Sequence, residues 1–405
     1  MTRYDDLFDE ATAGDSVFAD KSALDPLAEP EEVVPRTEQE QQVARILAGV
    51  TEGYLPTTVS VYGPPGTGKT ITTKRLCREF AARHPEFGVE YVNLKECRTI
   101  FSAANEILFA LGGEKRGAHA GLDGVFEAIW ERLETFPEWT VLILDEIDHI
   151  KHDANYDPSD FFYRLLRGEG KLKRGLQLSV FLISNELLTV DLRLDSRVES
   201  AMGGEEVFFP PYSADELRAI IGARIDRAFV AGGMDEAAFD RGVQEATQRW
   251  GDARKTLRLF RQAGERANER GLEQVTVDCV VDSLEGTERE TTVTKLQSLP
   301  LRHLVVLAAA VGTRGADGQI KQPVRSTQIR ERLQQPGMAE RFRLGERTIQ
   351  GLVGELETMG LVESWTEAKS EGGRALFVET TFDPEWVYEA QAAVAEELAA
   401  VEATE

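Results

Sequence analysis

Gly63-Pro64-Pro65-Gly66-Thr67-Gly68-Lys69-Thr70 decides the fold. The stretch fits GxxxxGK[ST] and stands between a short β-type run, Thr58-Val59-Ser60-Val61-Tyr62, and a helical stretch. That context is what a phosphate-binding P-loop requires. Its glycines let backbone N–H groups approach phosphate oxygens, and the N-terminus of the following helix adds positive potential. All eight residues are therefore candidate nucleotide contacts. Lys69 is expected to reach the β- and γ-phosphates, and Thr70 to ligate Mg²⁺. Further β-type runs follow at Val89–Leu94, Thr140–Leu144 and Leu178–Ile183, separated by helical stretches such as Val125–Leu133. Strands alternating with helices predict an α/β fold: a parallel sheet with helices on both faces.

Val141-Leu142-Ile143-Leu144-Asp145-Glu146-Ile147-Asp148 supplies the second half of the site. Its apolar residues make a buried strand, and acids appear abruptly at the carboxyl end, where ligands bind in open α/β sheets. Asp145 is expected to hold Mg²⁺, directly or through water. Glu146 is expected to orient and polarise the attacking water. Asn185 follows the strand Leu178–Ile183 and is placed to position the same water. Phosphoryl transfer also calls for cationic groups, and Arg197 and Arg254, in Leu194–Ser200 and Gly251–Lys255, are the candidates.

After Pro210-Pro211 the strands are expected to stop. Helical spacing at Ala214–Ala228, Glu236–Gln248, Ala253–Glu269 and Val277–Glu285 predicts an α-helical second unit. Residues 299–390 change character again. Helices around Leu301–Ala308, Thr327–Leu333 and Glu346–Met359 precede a hairpin-like pair, Leu361–Ser364 and Leu376–Thr380. Three helices followed by a hairpin describe a winged helix, whose third helix enters the DNA major groove. On that helix Ile349, Leu352, Val353, Leu356 and Met359 form the core stripe. Arg347, Gln350, Gly351 and Gly354 lie on the other face. Arg347 and Gln350 are candidates for base edges, and Arg343, Lys369 and Arg374 for phosphates. The tip Lys369-Ser370-Glu371-Gly372-Gly373-Arg374 suits a wing that follows the DNA backbone or minor groove.

The ordered set of motifs resembles an AAA+ ATPase and, more narrowly, the archaeal Orc/Cdc family of replication initiators. The resemblance rests on Val34–Glu38, Leu144–Asp148, Ile183–Asn185, Leu194–Ser200, Val207–Leu217 and Gly251–Lys255, and covers roughly residues 31–385. The most family-specific piece is Phe208-Phe209-Pro210-Pro211-Tyr212-Ser213-Ala214-Asp215-Glu216-Leu217. The resemblance implies sensor roles for Asn185 and Arg254 and an arginine finger at Arg197, with Arg193 as rival. It adds Val34, Arg36, Tyr212 and Arg224 to the nucleotide contacts. It also implies a DNA-contacting insertion within about Cys97–Leu122, where Lys115 and Arg116 are the phosphate candidates. The implied organisation is a flexible acidic tail over 1–30, an AAA+ base over 31–209, a helical lid over 210–290, a winged helix over 291–390 and an acidic tail over 391–405.

Composition bounds the setting. The 405 residues carry Lys+Arg 46 against Asp+Glu 70, a net charge of −24, which by itself predicts repulsion from nucleic acid. The charge is uneven. Residues 295–390 hold 12 bases and 13 acids, and Lys321 to Arg347 hold seven bases against three acids. Excess carboxylate with Arg about three times as frequent as Lys fits a halophile, here a haloarchaeal one. The longest apolar run, Leu304–Val311, is far shorter than a membrane span. The acidic start lacks a signal-peptide apolar region, and Cys77, Cys97 and Cys279 show no metal-ligand spacing. A cytoplasmic setting is expected. The expected function is an ATP- and Mg²⁺-dependent replication initiator on double-stranded origin DNA, with ATP/ADP as a slow switch. The resemblance implies recruitment of the MCM helicase and possible paralogous initiators. The alternative is an AAA+ transcription or plasmid-maintenance regulator.

Overall fold

The structure, a computed structural model, describes residues 16–28, 34–97, 99–152, 156–167, 176–185, 198, 204–312, 320–335, 344–368 and 374–392. The chain divides into two compact units, residues 1–281 and 282–405.

The first unit is built on strands β1 (Thr58–Tyr62), β2 (Phe87–Asn93), β3 (Trp139–Asp145), β4 (Gln177–Ser184) and β5 (Glu205–Phe208). They form one parallel sheet in the order β2-β3-β4-β1-β5. Because side chains alternate across a strand, its two faces feed two separate cores. Leu142, Leu144, Val180 and Leu182 pack into one, with helices α3 (Ile100–Ala110) and α4 (Gly121–Leu133). Val141, Ile143, Phe181 and Ile183 pack into the other, with α1 (Thr37–Ala48) and α2 (Lys69–Arg83). Helix α5 (Pro158–Arg167) adds Phe161, Phe162, Leu165 and Leu166 to the first core. β4 lies between β1 and β3, with Tyr62 opposite Ser184 and Leu144 opposite Leu182. The segments that follow all three strands therefore emerge along one sheet edge, where the ligand crevice of such a sheet lies.

β5 was not expected from the sequence. Glu205-Glu206-Val207-Phe208 has one fully buried side chain, Val207, because it is an edge strand paired only to β1. Edge strands need little apolar patterning, so periodicity misses them.

The same unit continues into α6 (Ala214–Ala228), α7 (Glu236–Arg249) and α8 (Ala253–Glu269). α6 opens with a reciprocal capping box between Ser213 and Glu216. Against the expectation of a flexible tail over 1–30, residues 16–28 are docked on these helices. Val17 and Leu24 are buried, and the Phe18 ring stacks on Phe229 at 5.0 Å. Ala19 N–H donates to Ala228 O at 2.7 Å, and Val17 N–H to Asn268 Oδ1 at 2.8 Å. Two pairs of apolar residues suffice to anchor this strap, a pattern too short to register as periodic.

The expected boundary at 290/291 is also corrected. Helix α9 (Val277–Gln297) runs through it, and the division between units falls inside that helix, at Val281/Asp282. Only Val293 and Leu296 of its later turns enter the C-terminal core, so their spacing was too sparse to read.

The second unit adds α10 (Leu301–Val311), β6 (Val324–Arg325), α11 (Ser326–Leu333), α12 (Glu346–Thr358), β7 (Val362–Ala368) and β8 (Arg374–Thr380). The three strands form an antiparallel sheet in the order β6-β8-β7. Ile349, Leu352, Val353 and Leu356 of α12 are buried, and Arg347, Gln350, Gly351 and Gly354 are exposed. Among the described residues no helix is long and apolar enough to cross a membrane.

Candidate nucleotide site

The loop from β1 to α2 needs left-handed backbone at Gly66 (φ 71°) and Gly68 (φ 87°). Space is as restrictive as dihedral angle. A Cβ on Gly66 would collide with the Asp252 carboxylate, and one on Gly68 with the Tyr212 hydroxyl. Both partners come from the helical subdomain, so these glycines admit helix–loop contact as well as phosphate approach. Ala253 N–H donates to Gly66 O at 3.3 Å. Asp252 caps α8 by accepting from the N–H groups of Arg254 and Lys255 at 2.8 and 3.1 Å. Burial raises its pKa, opposed by those N–H bonds and by the Lys255 and Arg254 charges.

Lys69 begins α2 and folds back into its own loop. Its Nζ donates to Gly63 O at 2.6 Å, Pro64 O at 2.9 Å and Asn185 Oδ1 at 3.3 Å. Burial pushes the ammonium down to about 8, against the attraction of Glu146, Asp145 and Asp148. Asn185, at the end of β4, also donates its side-chain amide to Asp148 Oδ2 at 3.1 Å. Asp148 thus orients Asn185, whose oxygen then faces the lysine.

Asp145 ends β3 and is buried. Its Oδ2 accepts from Thr70 Oγ1 at 2.8 Å and Tyr91 Oη at 2.9 Å, and its Oδ1 from Glu146 N–H at 3.0 Å. Burial raises its pKa, opposed mainly by the two hydroxyl donations. Oxygen donors from a carboxylate and a hydroxyl, side by side in a loop built for phosphate, suit a hard divalent cation such as Mg²⁺. Glu146 adopts φ 57°, the one positive φ outside glycine among the described residues. Such strain in a non-glycine residue costs on the order of 1 kcal/mol or more and gathers at functional sites.

Arg36, just before α1, is 2% exposed. It pairs with Glu216 Oε1 at 2.9 Å, donates to Pro210 O and lies 4.0 Å from the centroid of the Tyr212 ring. It therefore braces Tyr212 above Gly68. Val34 is half-buried in the preceding segment. The exposed Arg254 side chain stands at the start of α8, near enough that its charge is the smallest contributor to Lys69's depressed pKa.

Arg224, half-buried on α6, donates to the docked N-terminal strap, to Ala23 O, Asp25 O and Ala28 O at 3.2, 3.2 and 2.9 Å. Arg193, Arg197, Arg343 and Lys369 lie outside the described residues, as does the side chain of Arg374. Lys115 pairs with Glu106 at 2.5 Å, and Arg116 N–H donates to Asn105 Oδ1 at 2.6 Å. Tyr91, Asp148 and Asp252 are the site residues that pattern reading left without a role. Asp148 and Asp252 stood inside motifs that drew notice for other members. Tyr91 carried no signal beyond being a strand residue.

Comparison with known proteins agrees with this geometry. A family model described as an AAA domain matches residues 55–185, and one described as a Cdc6 AAA+ ATPase-type lid domain matches residues 218–285. The chain is 30% identical over 394 residues to an ORC1-type DNA replication protein of Cenarchaeum symbiosum, covering 95% of this chain and 94% of the relative. It is 30% identical over 384 residues to that of Pyrococcus furiosus, covering 92% and 89%. Among solved structures it resembles the Aeropyrum pernix ORC1 protein in complex with DNA. The TM-score is 0.72 at 28% identity, over 94% of this chain and 98% of that one. The Aeropyrum pernix ORC2 protein, solved in ADPNP–ADP complexes, shares the fold at TM-score 0.57 and 18% identity, over 93% and 99%.

Proposed function

Because the chain belongs to the Orc1/Cdc6-type family of archaeal replication initiators, we propose that it binds origin DNA and that ATP sets its state through the helical lid. Membership brings the AAA+ ATPase fold with its parallel sheet and lid, and a role in DNA replication. The observation that carries the ATP proposal is the direct contact between phosphate loop and lid. Gly66 meets Asp252 and Ala253, and Gly68 meets Tyr212. A phosphate that reshapes the loop must move those contacts, so nucleotide occupancy and lid position share one free energy.

In this reading Lys69 leaves the Gly63 and Pro64 carbonyls for the β- and γ-phosphates. Glu146 polarises the attacking water, Asn185 positions it, and Arg254 reaches the γ-phosphate from α8. Thr70 and Asp145 would hold Mg²⁺, which when bound supplies charge neutralisation on the phosphates. Turnover is slow, because the lid contacts make binding a state rather than a stroke.

DNA binding is proposed for the second unit, read as a winged helix with α12 as its groove helix. The Aeropyrum pernix relative solved with DNA supports this. So does Gly351. Among the described residues outside its own helix backbone, none lies within 4 Å of where its Cβ atom would be. Mid-helix glycine costs about 1 kcal/mol relative to alanine. Close approach by an outside surface explains it. Recruitment of the replicative MCM helicase belongs to the same proposal. Genome-wide mapping of bound sites tests it: enrichment at replication start sites is expected, and enrichment confined to promoters would replace it with a transcription regulator.

A further inference from the structure

The geometry points to Tyr91 as a positioning residue for the metal-holding carboxylate: its hydroxyl fixes Asp145 in the orientation that Mg²⁺–nucleotide binding requires. Tyr91 lies on β2, directly beside β3, and its hydroxyl crosses to Asp145 Oδ2 at 2.9 Å. The direction of that bond is set from behind. The Asn93 side-chain amide donates to the same hydroxyl oxygen at 3.3 Å, which occupies an oxygen lone pair and leaves the proton for Asp145. The Lys74 ammonium sits 4.0 Å from the Tyr91 ring centroid and holds the ring in place by cation–π attraction.

Besides Tyr91, Asp145 is held by the Glu146 N–H on Oδ1 and by Thr70 on Oδ2. Thr70 Oγ1 shares Oδ2 with Tyr91, but its oxygen is the one expected to face the cation. A buried carboxylate gains from each hydrogen bond that favours its charged form. Tyr91 provides such a bond from a β-strand, a rigid support that phosphate does not touch. Partners of this kind, hydrogen-bonded to a metal ligand without meeting the metal, set ligand orientation and basicity.

This inference rests on the reading of Thr70 and Asp145 as the Mg²⁺ ligands, and the test separates the two. Equilibrium binding of a fluorescent ATP analogue to the full chain is measured in excess EDTA and across a Mg²⁺ series, for wild type and Tyr91→Phe. The substitution removes the hydroxyl and keeps the ring. The Mg²⁺ concentration giving half of the metal-dependent gain in affinity should rise about tenfold, the low end of what such supporting bonds carry. Affinity in EDTA should stay within about twofold. Asn93→Ala, which frees the hydroxyl to turn away, should raise the Mg²⁺ requirement less, in the same direction. A wild type with Mg²⁺-dependent affinity and a Tyr91→Phe chain with the same Mg²⁺ requirement overturns the role of Tyr91 alone. Equal loss with EDTA and with Mg²⁺ also overturns it, because the effect is then on the loop as a whole. A wild type indifferent to Mg²⁺ overturns the metal reading, and the inference with it.

Discussion

The nucleotide site and the basic stretch of the second unit use polar side chains in opposite ways. In the first, groups far apart in sequence are already joined without ligand: Lys69 to Asn185, Asp145 to Tyr91, Asn185 to Asp148, and Gly66 to Ala253. Burial makes each contact consequential, since an unsatisfied buried polar group is costly. In the second, three of the seven cations that stand out in sequence engage the protein itself. Arg332 donates to Ala309 O at 2.7 Å, Arg330 pairs with Glu346 at 3.1 Å, and Arg325 lies over the Phe377 ring at 5.5 Å. Preorganisation marks the first region as chemical. In the second, a count of charges overstates the surface left for the proposed DNA contact, and the exposed Arg347–Gly354 face of α12 is the better candidate.

The largest expected effect tests the chemical region. Glu146→Gln removes the base and keeps the shape, so ATP binding should persist while hydrolysis falls by about 10²–10⁴-fold, the range general-base removal spans. Single-turnover hydrolysis beside equilibrium ATP binding measures both. Hydrolysis at the wild-type rate would show that the strained backbone at Glu146 serves something other than the water.

A smaller effect follows from Lys69. Its ammonium is pushed to about 8 from an ordinary 10.5 by burial. The folded, nucleotide-free protein therefore carries a cost for the buried charge below pH 8, relieved as pH rises from 8 to 10.5. Phosphates restore the charged form, so binding above pH 8 must take up a proton. ATP affinity should be level up to about pH 8 and then fall toward about tenfold per pH unit, one proton's worth. Calorimetry in buffers of differing ionisation heat would report the uptake. A flat affinity from about pH 7 to 9.5 would mean the lysine keeps its proton despite its burial.

How much could be read in the sequence divides along the same line. The phosphate loop, the Asp145–Glu146 turn and Asn185 were legible because each is announced by a local pattern at a strand end. Four of the five strands and the α12 core stripe were legible because burial on a regular element imposes a period. What escaped depends on partners far along the chain. Tyr91 matters through a residue 54 positions away. The contact of Arg224 with the strap escaped because its acceptors are backbone carbonyls, which any sequence supplies. β5 and the N-terminal strap escaped because the edge needs one buried side chain and the slot only two short apolar pairs.

The smallest expected effect compares two arginines of the second unit. Arg374 opens β8 at the hairpin end, and we expect it to meet phosphate, whereas Arg332 is tied to Ala309 O. Arg374→Ala should weaken DNA binding about three- to tenfold across sequences and shallow the slope of log affinity against log salt by about 0.9, one phosphate's counterion. Arg332→Ala should leave that slope unchanged and lower thermal stability, because its loss leaves a carbonyl unpaired. Salt titrations of both variants on one duplex make the comparison. At molar salt, where the Debye length is about 3 Å, the −24 net charge is screened and only such close contacts remain. Equal slopes for wild type and Arg374→Ala would remove Arg374 from the phosphate contacts. A shallower slope for Arg332→Ala would mean that a cation engaged with the fold still reaches DNA, and the contrast between the two regions would fail at that residue.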